Sequence, residues 1–450
     1  MMITITQPAT ILRELGAGLV LRRSTCADAD NLAEFNSSIH SDFGPDKPDE
    51  RIGAWVRDLL TLPHPTFEPG DFTIVEDTHT GKIVSSLNLI SQTWSYAGIP
   101  FGVGRPEVVG THPDYRKRGL VRSQFDEVHA WSRARGQVAQ AITGIPYYYR
   151  QFGYEMALDH GGGRFGSETQ LPRLKDGEEE IYHIRPAVEG DIPFLVQVNV
   201  HADRRSLVTC PCDESIWRYN LLGMSSKNVN RLEIRIIETT LGEPVGYLTH
   251  PWFNWDNGLV MSSYELKPGV AWMAVTPAVA RYLWKTGKDY ALVSGKPVFS
   301  YGFWLGLSHP SYQVFREKLP TLRDSYAYYL RVPDLVGFLR LITPALETRL
   351  AASELVIGHT GKLRLNFYRS GIEFNFESGR LTGVESYLPT SSQDGEAAFP
   401  DLTFLQLMFG YRSFDELQLS FADCWDRSEE TRVLLNVLFP KQPSLVLPVA

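Results

Sequence analysis

The chain has 450 residues, of which 43% are hydrophobic and 21% charged, and its formal net charge is −8 at pH 7. This length suggests about three domains, and the acidic balance excludes the basic surface of a nucleic-acid-binding protein while it suits cationic partners. The sequence contains neither a run of about 18 apolar residues nor the basic, apolar start of a signal peptide, so we expect a cytoplasmic protein that does not enter a membrane.

Two segments of the chain begin with the same pattern. The first comprises Leu21-Arg22-Arg23, Asp28 and Leu32, and the second, at identical spacing, comprises Ile184-Arg185-Pro186, Asp191 and Leu195. Each reads as a first strand that runs into a helix with an aspartate near its start. We therefore predict two domains of one type, with a boundary in residues 167–180, where a proline and three consecutive glutamates interrupt the periodicity.

Three predicted strands lead to the most informative stretch of the chain. Residues 72–76 and 82–94 read as strands joined by a turn, and residues 108–111 as a third strand. A proline follows the third strand, and a basic, glycine-containing turn comes after it. Apolar residues at 121, 125 and 128 then recur at helical spacing, and Gly136 stands where a C-terminal cap is expected.

The basic turn lies at a predicted helix N-terminus, which is an anion-binding position. Backbone N–H groups there lack helical partners, and the helix dipole adds partial positive charge. Arg116, Lys117 and Arg118 add full charges, and Gly119 allows a diphosphate to approach the backbone closely. In isolation the same residues would also suit a solvated turn before a surface helix.

The spacing Arg116-x-x-Gly119-x-Val121, directly after an apolar strand, resembles the coenzyme A pyrophosphate loop of the GCN5-related N-acetyltransferases (GNAT). That loop reads Q/R-x-x-G-x-G/A, so Val121 departs from the pattern. The resemblance implies acetyl-CoA as cofactor, and a strand that splays from its neighbour so that its backbone pairs with the pantetheine arm and polarises the thioester carbonyl. The residues implied to hold the cofactor are Val108, Val109, Gly110, Thr111, Arg116, Lys117, Arg118, Gly119, Leu120, Val121 and Gly144.

A second motif, Tyr149-Arg150-Gln151-Phe152-Gly153-Tyr154, follows the helix and a short predicted strand at residues 138–143. This box is similar to that of the enhanced intracellular survival (Eis-like) branch of the same superfamily. The resemblance implies an α/β (α+β) fold of two tandem GNAT-type domains followed by a sterol-carrier-protein-2-like α+β domain. The implied domains are residues 1–175, 176–331 and 332–450, and the branch forms symmetric homo-oligomers, often hexamers.

The second copy lacks the basic glycine loop. Its nearest equivalent, Ala274-Val275-Thr276-Pro277, keeps only a Thr-Pro step, so we expect this domain to hold no cofactor, to pack on the first domain and to shape the acceptor cleft. A group of aromatic residues either lines that cleft or fills the core. The group comprises Trp252, Phe253, Trp255, Tyr301, Phe303 and Trp304.

The third domain is expected to begin near residues 329–334. Apolar residues alternate with polar ones over residues 363–367 and again over 372–376, with Ser370-Gly371 between them, so we predict a hairpin with one buried face. Helical patterns follow at residues 401–409, 413–418 and 429–438.

The four cysteines, Cys26, Cys210, Cys212 and Cys424, are too few and too scattered for a disulfide framework. Cys210 and Cys212 lack a second ligand pair at the spacing of a zinc site. We therefore expect reduced thiols and no metal centre.

Acetyl transfer from a thioester to an amine requires a proton for the leaving thiolate. The resemblance assigns that proton to Tyr149, because a phenol and a thiol titrate at similar pH values. The neighbouring Tyr147 and Tyr148 indicate the alternative, an aromatic run that only packs. Phe152 and Tyr154 are expected to be core residues that fix the turn.

In the Eis-like branch the C-terminal carboxylate enters the active site and takes a proton from the amine, a role that falls here to Ala450. The apolar tail, residues 438–450, is expected to be docked, and the carboxylate needs burial or a relay water to act as a base. One alternative is that the tail is a closing strand of the third domain, and another is that Glu107 is the base. Glu107 is expected instead to be a solvated strand-edge charge, and His112 and His129 to be surface histidines.

These features predict an acetyl-CoA-dependent N-acetyltransferase with Tyr149 as general acid and the Ala450 carboxylate as base. The acceptor would be a primary amine, either of a polyamine-like or aminoglycoside-like small molecule or of a lysine side chain, and we expect neither nucleic acid nor a membrane as partner. Two alternatives stay open: a non-catalytic binding or scaffold protein with relic acetyltransferase folds, and an acyltransferase that uses a longer acyl-CoA.

Overall fold

The first part of the chain forms a mixed sheet with helices on both faces, in a computed structural model that describes residues 10–42, 44, 46–255 and 257–450. Its elements are β1 (Ile11–Gly16), β2 (Leu19–Arg23), α1 (Ala29–Ile39), α2 (Glu50–Thr61), β3 (Phe72–Asp77), β4 (Lys82–Tyr96), β5 (Ile99–Thr111), α3 (Leu120–Ala134), β6 (Ala139–Ile142), β7 (Glu155–His160) and β8 (Gly163–Gly166). Side chains alternate along β4, so Leu87 and Leu89 pack with α3, whereas Ile90 packs with α1 and α2.

The second part repeats much of this succession, without a counterpart of β1. Its elements are β9 (Tyr182–Pro186), α4 (Ile192–Asp203), β10 (Val208–Thr209), α5 (Glu214–Arg218), β11 (Leu232–Thr239), β12 (Pro244–Pro251), β13 (Gly258–Met261), β14 (Ser263–Leu266), α6 (Trp272–Ser294), β15 (Ser300–Phe303), α7 (Ser311–Phe315), β16 (Thr321–Arg323) and β17 (Tyr326–Arg331). Within the described residues, no helix is long and apolar enough to cross a membrane, the 23-residue α6 included.

The same ion-paired triad opens both parts. In the first, the Arg22 guanidinium lies 2.7 Å from Asp28 and 2.7 Å from Glu76; in the second, the Arg185 guanidinium lies 2.7 Å from Asp191 and 2.8 Å from Glu238. Each triad ties a strand near the start of its part, β2 or β9, to the start of the helix that follows and to a neighbouring strand. The repeat predicted from the sequence is therefore also present as a set of side-chain contacts.

The two parts exchange a strand. β17, from the end of the second part, lies between β6 and β7 in the first sheet, and β8, from the first part, lies between β15 and β16 in a sheet of the second. The fit of β8 is close, since a Cβ on Gly163 would lie 2.0 Å from the Phe303 carbonyl oxygen. A division at residues 175 and 331 thus assigns β17 and β8 to parts of the chain in whose sheets they do not lie.

The third part is an α+β unit on a small sheet of order β20-β19-β18-β21-β22. Its elements are α8 (Leu335–Leu341), α9 (Thr343–Ala352), β18 (Gly361–Asn366), β19 (Gly371–Glu377), β20 (Arg380–Tyr387), β21 (Ala397–Ala398), α10 (Phe404–Met408), α11 (Phe414–Ser420), β22 (Trp425–Asp426) and α12 (Glu429–Leu438). β18 and β19 form the predicted hairpin, with Leu365 opposite Ile372 and both side chains buried. The three predicted helices correspond to α10, α11 and α12.

The tail after α12 leaves the third part and crosses to the other two. The amide of Leu207 donates to the Pro443 carbonyl at 2.8 Å, and Leu445 forms a parallel bridge with Thr209 on β10. The tail is docked, as expected, but the alternative that it closes the third domain's own sheet is wrong. Hydrogen bonds to β10 direct its last residues toward the first sheet.

Candidate functional site

The strand before the basic turn is broken by a bulge at Val108. Ser86 on β4 lies opposite Gly110 on β5, and Asn88 lies opposite Glu107, so two residues of β5 face one residue of β4. Val108 adopts a left-handed conformation with φ of 46°, which is strained for a β-branched side chain. A bulge leaves backbone groups outside the ladder, where they can bind a ligand.

Beside the bulge, β5 and β6 separate. They pair in parallel where Val103 meets Ala139 and Gly104 meets Gln140, and the described residues form no further pair between them. Gly144, with φ of 118°, follows β6 on the far side of the opening. The two strands are therefore splayed, with backbone on both sides of the gap.

The basic turn has the backbone of an anion-binding loop. Lys117 and Gly119 have left-handed φ values of 63° and 75°, a conformation found in turns whose N–H groups form anion-binding concavities. α3 begins at the next residue, so the N–H groups of its first turn add to the same site. At its other end, Gly136 has φ of 68°, as expected of a C-terminal cap.

A cleft of about 660 Å³ runs along this turn. Of the predicted cofactor residues, Val109, Gly110, Thr111, Arg116, Lys117, Arg118, Gly119, Leu120 and Val121 line it. The half-buried Val121 packs with the Phe125 cluster and forms part of the cleft wall. The other two predicted residues, Val108 and Gly144, line a smaller adjoining cavity of about 250 Å³ that shares Val109 and Ile145 with the cleft.

Tyr149 lies at the opening between the splayed strands. Its side chain is 3% exposed and its hydroxyl lies 4.0 Å from the position that a Cβ on Gly144 would take. Burial, with the nearby Glu107 carboxylate acting in the same direction, raises the pKa of Tyr149 above its ordinary value. The hydroxyl is therefore protonated at neutral pH and faces the smaller cavity.

The residues around Tyr149 differ in how far they are exposed to solvent. Tyr147 is 70% exposed, whereas Tyr154 is fully buried, as expected of a core residue. His129, expected at the surface, is half-buried: its Nε2 lies 2.8 Å from the Tyr154 hydroxyl. Burial lowers the pKa of His129 to about 3, so the expectation was wrong because α3 turns this side chain toward the Tyr154 ring. His112 is exposed in the loop, as expected.

The end of the chain reaches the same region. One oxygen of the Ala450 carboxylate accepts a hydrogen bond from the Tyr219 hydroxyl at 3.2 Å, and the His64 ring packs edge-on against Tyr219 with ring centroids 4.5 Å apart. Ala450 also packs against the apolar cluster that contains Trp55 and Val108. The last residue of the third part therefore lies beside the bulged strand of the first.

Glu107 is not the solvated strand-edge charge that the sequence suggested. Its side chain is 15% exposed, lines the smaller cavity and forms an ion pair with the buried Arg105. The expectation failed because the tail covers this part of β5. The structure places Glu107 near both Tyr149 and the end of the chain, so both candidate bases lie in one region.

Sequence reasoning missed the residues that complete the two cavities. His40, at the end of α1, lines both cavities and has its pKa lowered by burial, so its ring is neutral. Trp55 on α2 lines the smaller one, and His64 and Tyr219 hold the chain end. These residues come from four separate segments and share no spacing, so no local pattern marks them.

The equivalent opening in the second copy is bridged by a side chain. β13 and β15 pair at four positions, from Gly258 with Ser300 to Met261 with Phe303. Beyond them, His309 donates from Nε2 to the Tyr264 carbonyl at 2.9 Å and so bridges the gap. This bridge and the missing glycine loop give physical reasons for the prediction that the second copy holds no cofactor.

The predicted aromatic group of the second copy divides into two sets. Tyr301 and Phe303 are fully buried in the core, so packing accounts for them. Trp255 is 45% exposed and contacts Trp304, and Phe253 stacks under the Arg51 guanidinium of α2 at 4.5 Å. Phe253 thus joins the second part to the first.

Comparisons with known proteins agree with this arrangement. Residues 27–157 match the family model described as "Acetyltransferase (GNAT) domain", and no curated protein matches the chain. Similar solved structures include a GCN5-related N-acetyltransferase from Kribbella flavida (17% identity, TM-score 0.61, covering 96% of this chain and 98% of that one). Others are a GCN5-related N-acetyltransferase from Anabaena variabilis (13%, 0.62, 95% and 99%) and Eis1 from Mycobacterium abscessus (12%, 0.55, 94% and 98%).

At these identities the structural likeness concerns the fold, and it extends over nearly the whole length of both chains. The family model spans the bulge, the splay, the basic turn and Tyr149. Residues 27–157 therefore match an acetyltransferase (GNAT) domain, and the chain shares its overall fold with these solved structures over nearly its whole length.

Proposed function

We propose that the chain is an acetyl-CoA-dependent N-acetyltransferase that acts on a primary amine. The observation that carries this proposal is the position of the Tyr149 hydroxyl, protonated and directed at the opening between β5 and β6, next to an anion-binding turn. An anion-binding turn alone would suit many phosphates. An anion-binding turn beside two splayed strands and a proton donor suits a thioester of coenzyme A.

The residues of the cleft fit coenzyme A. The turn of Arg116 to Gly119 and the first N–H groups of α3 would hold the pyrophosphate, and the backbone of Val109 and Gly110 would pair with the pantetheine arm. Gly110 permits close packing here, since a Cβ would lie 2.9 Å from the Ile39 side chain. Bound acetyl-CoA would supply an activated acetyl thioester.

The protein's own residues would move the protons. Transfer forms a C–N bond to the acceptor and breaks the thioester C–S bond. The acceptor enters as an ammonium and gives up two protons, while Tyr149 gives one to the departing sulfur and regains one, so one proton is released overall. The Ala450 carboxylate, beside Trp55 and Val108, is the proposed first acceptor of a proton.

The smaller cavity suits an amine. Trp55 and Tyr149 contribute aromatic side chains to its wall, and such rings attract cations. The acidic net charge of −8 would concentrate cationic acceptors around the molecule. We therefore propose polyamine-like or aminoglycoside-like amines, or lysine side chains, as the acceptor class.

We also assign the chain to the Eis-like branch. The Tyr149 box, the tandem copies and the docked chain end support this assignment, together with a fold shared with Eis1 over 94% of the chain. On this assignment residues 332–450 correspond to the sterol-carrier-like domain of the branch, and the protein is an oligomer.

The test is release of free thiol from acetyl-CoA in the presence of a panel of primary amines. We expect amine-dependent turnover by the wild type and none by Arg118→Glu, which places a negative charge in the anion-binding turn. Arg133→Glu, on an exposed residue at the far end of the same helix, is the matched control and should turn over normally. If the wild type binds acetyl-CoA without turning over any amine, the protein is a binding or scaffold protein; preference for longer acyl groups would instead show as faster turnover with longer acyl-CoA.

A further inference from the structure

The last peptide carbonyl of the chain is held by two buried side chains of the cofactor-binding sheet. Gln92 on β4 donates from Nε2 to the Val449 carbonyl at 2.6 Å, and Arg105 on β5 donates to the same oxygen from Nη1 at 2.9 Å. The side chains of Gln92, Arg105 and Val449 are all at least nine-tenths buried. Because this carbonyl accepts hydrogen bonds from two buried donors, its position is fixed in the folded protein.

The same guanidinium also holds the other candidate base. Arg105 donates from Nε to Oε1 of Glu107 at 3.0 Å, and its Nη2 contacts the same oxygen. Arg105 thus uses one set of donors for Glu107 and a separate nitrogen for the tail. Because the fork of a guanidinium is rigid, the two partners are held in a fixed relation to each other.

The position of Arg105 on β5 explains why it contacts both Glu107 and the C-terminal tail. It lies three residues before the bulge at Val108, on the face of β5 that carries Glu107 and is covered by the tail. Ala450 is the one residue after the Val449 carbonyl that Gln92 and Arg105 hold. One oxygen of its carboxylate accepts a hydrogen bond from the Tyr219 hydroxyl. The terminal carboxylate is therefore restrained on both sides.

We propose that Arg105 and Gln92 are positioning residues that fix the terminal carboxylate as the base of the reaction, and that Arg105 at the same time withholds Glu107 from proton transfer. This inference rests on the proposed acetyl transfer. A base must lie within hydrogen-bond reach of the proton that it takes, and the last residue of a chain reaches such a position only where the preceding peptide is held. The step itself moves one proton from the acceptor ammonium to the carboxylate.

The test compares Gln92→Ala and Arg105→Lys in the full-length protein, each made in two backgrounds. One background ends at Ala450, and the other carries two extra residues, Gly-Ser, after Ala450, which displaces the carboxylate. Gln140→Ala is the matched control, because Gln140 is an equally buried glutamine of the same sheet that donates to Ser132 and not to the tail. Steady-state kcat, the KM of acetyl-CoA and the melting temperature are measured for each protein.

In the natural background we expect Gln92→Ala and Arg105→Lys to lower kcat by roughly tenfold to a hundredfold, the usual cost of misplacing a reacting group, with an unchanged KM for acetyl-CoA. In the extended background the same substitutions should have no further effect, because the group that they position is already displaced. Gln140→Ala should keep the wild-type kcat in the natural background.

Three results would overturn the inference while leaving the proposed function intact: unchanged kcat for both substitutions, equal losses in both backgrounds, or a tenfold or greater loss for Glu107→Gln comparable with that of the extended protein. A wild type without amine-dependent turnover would instead remove the proposed function. If Arg105→Lys fails to fold, the Gln92→Ala variant decides the test by itself, because it removes one of the two hydrogen-bond donors to the Val449 carbonyl and leaves Arg105 in place.

Discussion

Two tyrosines at equivalent positions of the internal repeat show what a proton donor requires. Tyr312 occupies in the second copy the place of Tyr149 in the first, but its hydroxyl donates to the Phe303 carbonyl at 2.7 Å and accepts from the Leu305 amide at 3.3 Å. In the described part of the structure the Tyr149 hydroxyl has no such partners, and Gly144 faces it. One difference between the copies is thus that the hydroxyl of Tyr149 is available and that of Tyr312 is not.

Replacement of Tyr149 by phenylalanine should lower kcat by about a hundredfold or more, because it removes the general acid, and should leave the KM of acetyl-CoA unchanged. The pKa of Tyr149 is raised, so the wild-type kcat should also hold up to and beyond pH 10 rather than fall there. Steady-state kinetics across pH check both points. Tyr154→Phe, which removes a buried hydroxyl bonded to His129, should lower the melting temperature but spare kcat; equal kinetic losses for the two variants would contradict the role.

Gly119 should be required for cofactor binding because of its left-handed backbone. An alanine there costs about 1–2 kcal/mol in that conformation, so Gly119→Ala should weaken acetyl-CoA binding several-fold in calorimetric titration. Gly136, left-handed at φ of 68° at the other end of α3, is the control. Gly136→Ala should destabilise the protein to a similar extent but keep the wild-type affinity for acetyl-CoA. A loss of affinity in both variants would show that binding depends on the stability of α3 and not on Gly119 itself.

At the scale of elements, the exchanged strands make the first two parts of the chain one cooperative unit. β8 and β17 each lie inside a sheet whose other strands come mainly from the other part, so removal of either part would take an inner strand from the remaining sheet. The second copy, whose own opening is bridged by His309, thus has a structural role. Its contribution is to complete the first sheet and to supply Tyr219 at the chain end.

Substitution of Gly163 by alanine should destabilise both parts together. The new Cβ would lie 2.0 Å from the Phe303 oxygen, and relief of such a contact typically costs about 1–3 kcal/mol. Differential scanning calorimetry should show a lower melting temperature in one transition that includes both parts. Gly190→Ala, where a Cβ meets no heavy atom within 4 Å, should behave as the wild type; separate transitions for the two parts would contradict the cooperative unit.

The elements of the site were predictable from sequence to different degrees. The strand, basic turn and helix around Gly119 follow from local spacing, and so does the repeat of Arg22 and Asp28 as Arg185 and Asp191. The repeat extends further than predicted, since Tyr149 and Phe152 recur as Tyr312 and Phe315 at the same spacing. The sequence therefore also indicates which tyrosine of the second copy corresponds to Tyr149. The strand exchange, the hydrogen bond from Arg105 to the Val449 carbonyl and the contact of Tyr219 with Ala450 depend on contacts between distant segments, which no local pattern specifies.

At the scale of the whole molecule, the three parts meet along the C-terminal tail. The tail lines a cavity of about 390 Å³ between them, together with Asp203 of α4 and Glu265 of β14. Burial, with the Glu265 charge acting in the same direction, raises the pKa of Asp203 to about 7. An ionisable group therefore lies at the junction through which the tail passes on its way to the site.

Asp203 should make stability depend on pH. The folded protein keeps this proton to about pH 7, whereas the unfolded chain loses it near pH 4, so the folded state binds more protons between those values and its stability falls as pH rises through them. Asp203→Asn should therefore be stabilised relative to the wild type at pH 8 more than at pH 5 in urea unfolding. Asp176→Asn, which removes an exposed carboxylate, gives the background; an equal difference at both pH values would contradict the assignment.

The proposed function requires one coenzyme site, in the first copy, and none in the second, where His309 bridges the equivalent opening. Isothermal titration of the full-length protein with acetyl-CoA tests it most directly. The structure predicts one molecule bound per chain, with binding abolished by Arg118→Glu and unaffected by Arg133→Glu. No binding, two molecules per chain, or binding that survives Arg118→Glu would contradict the account.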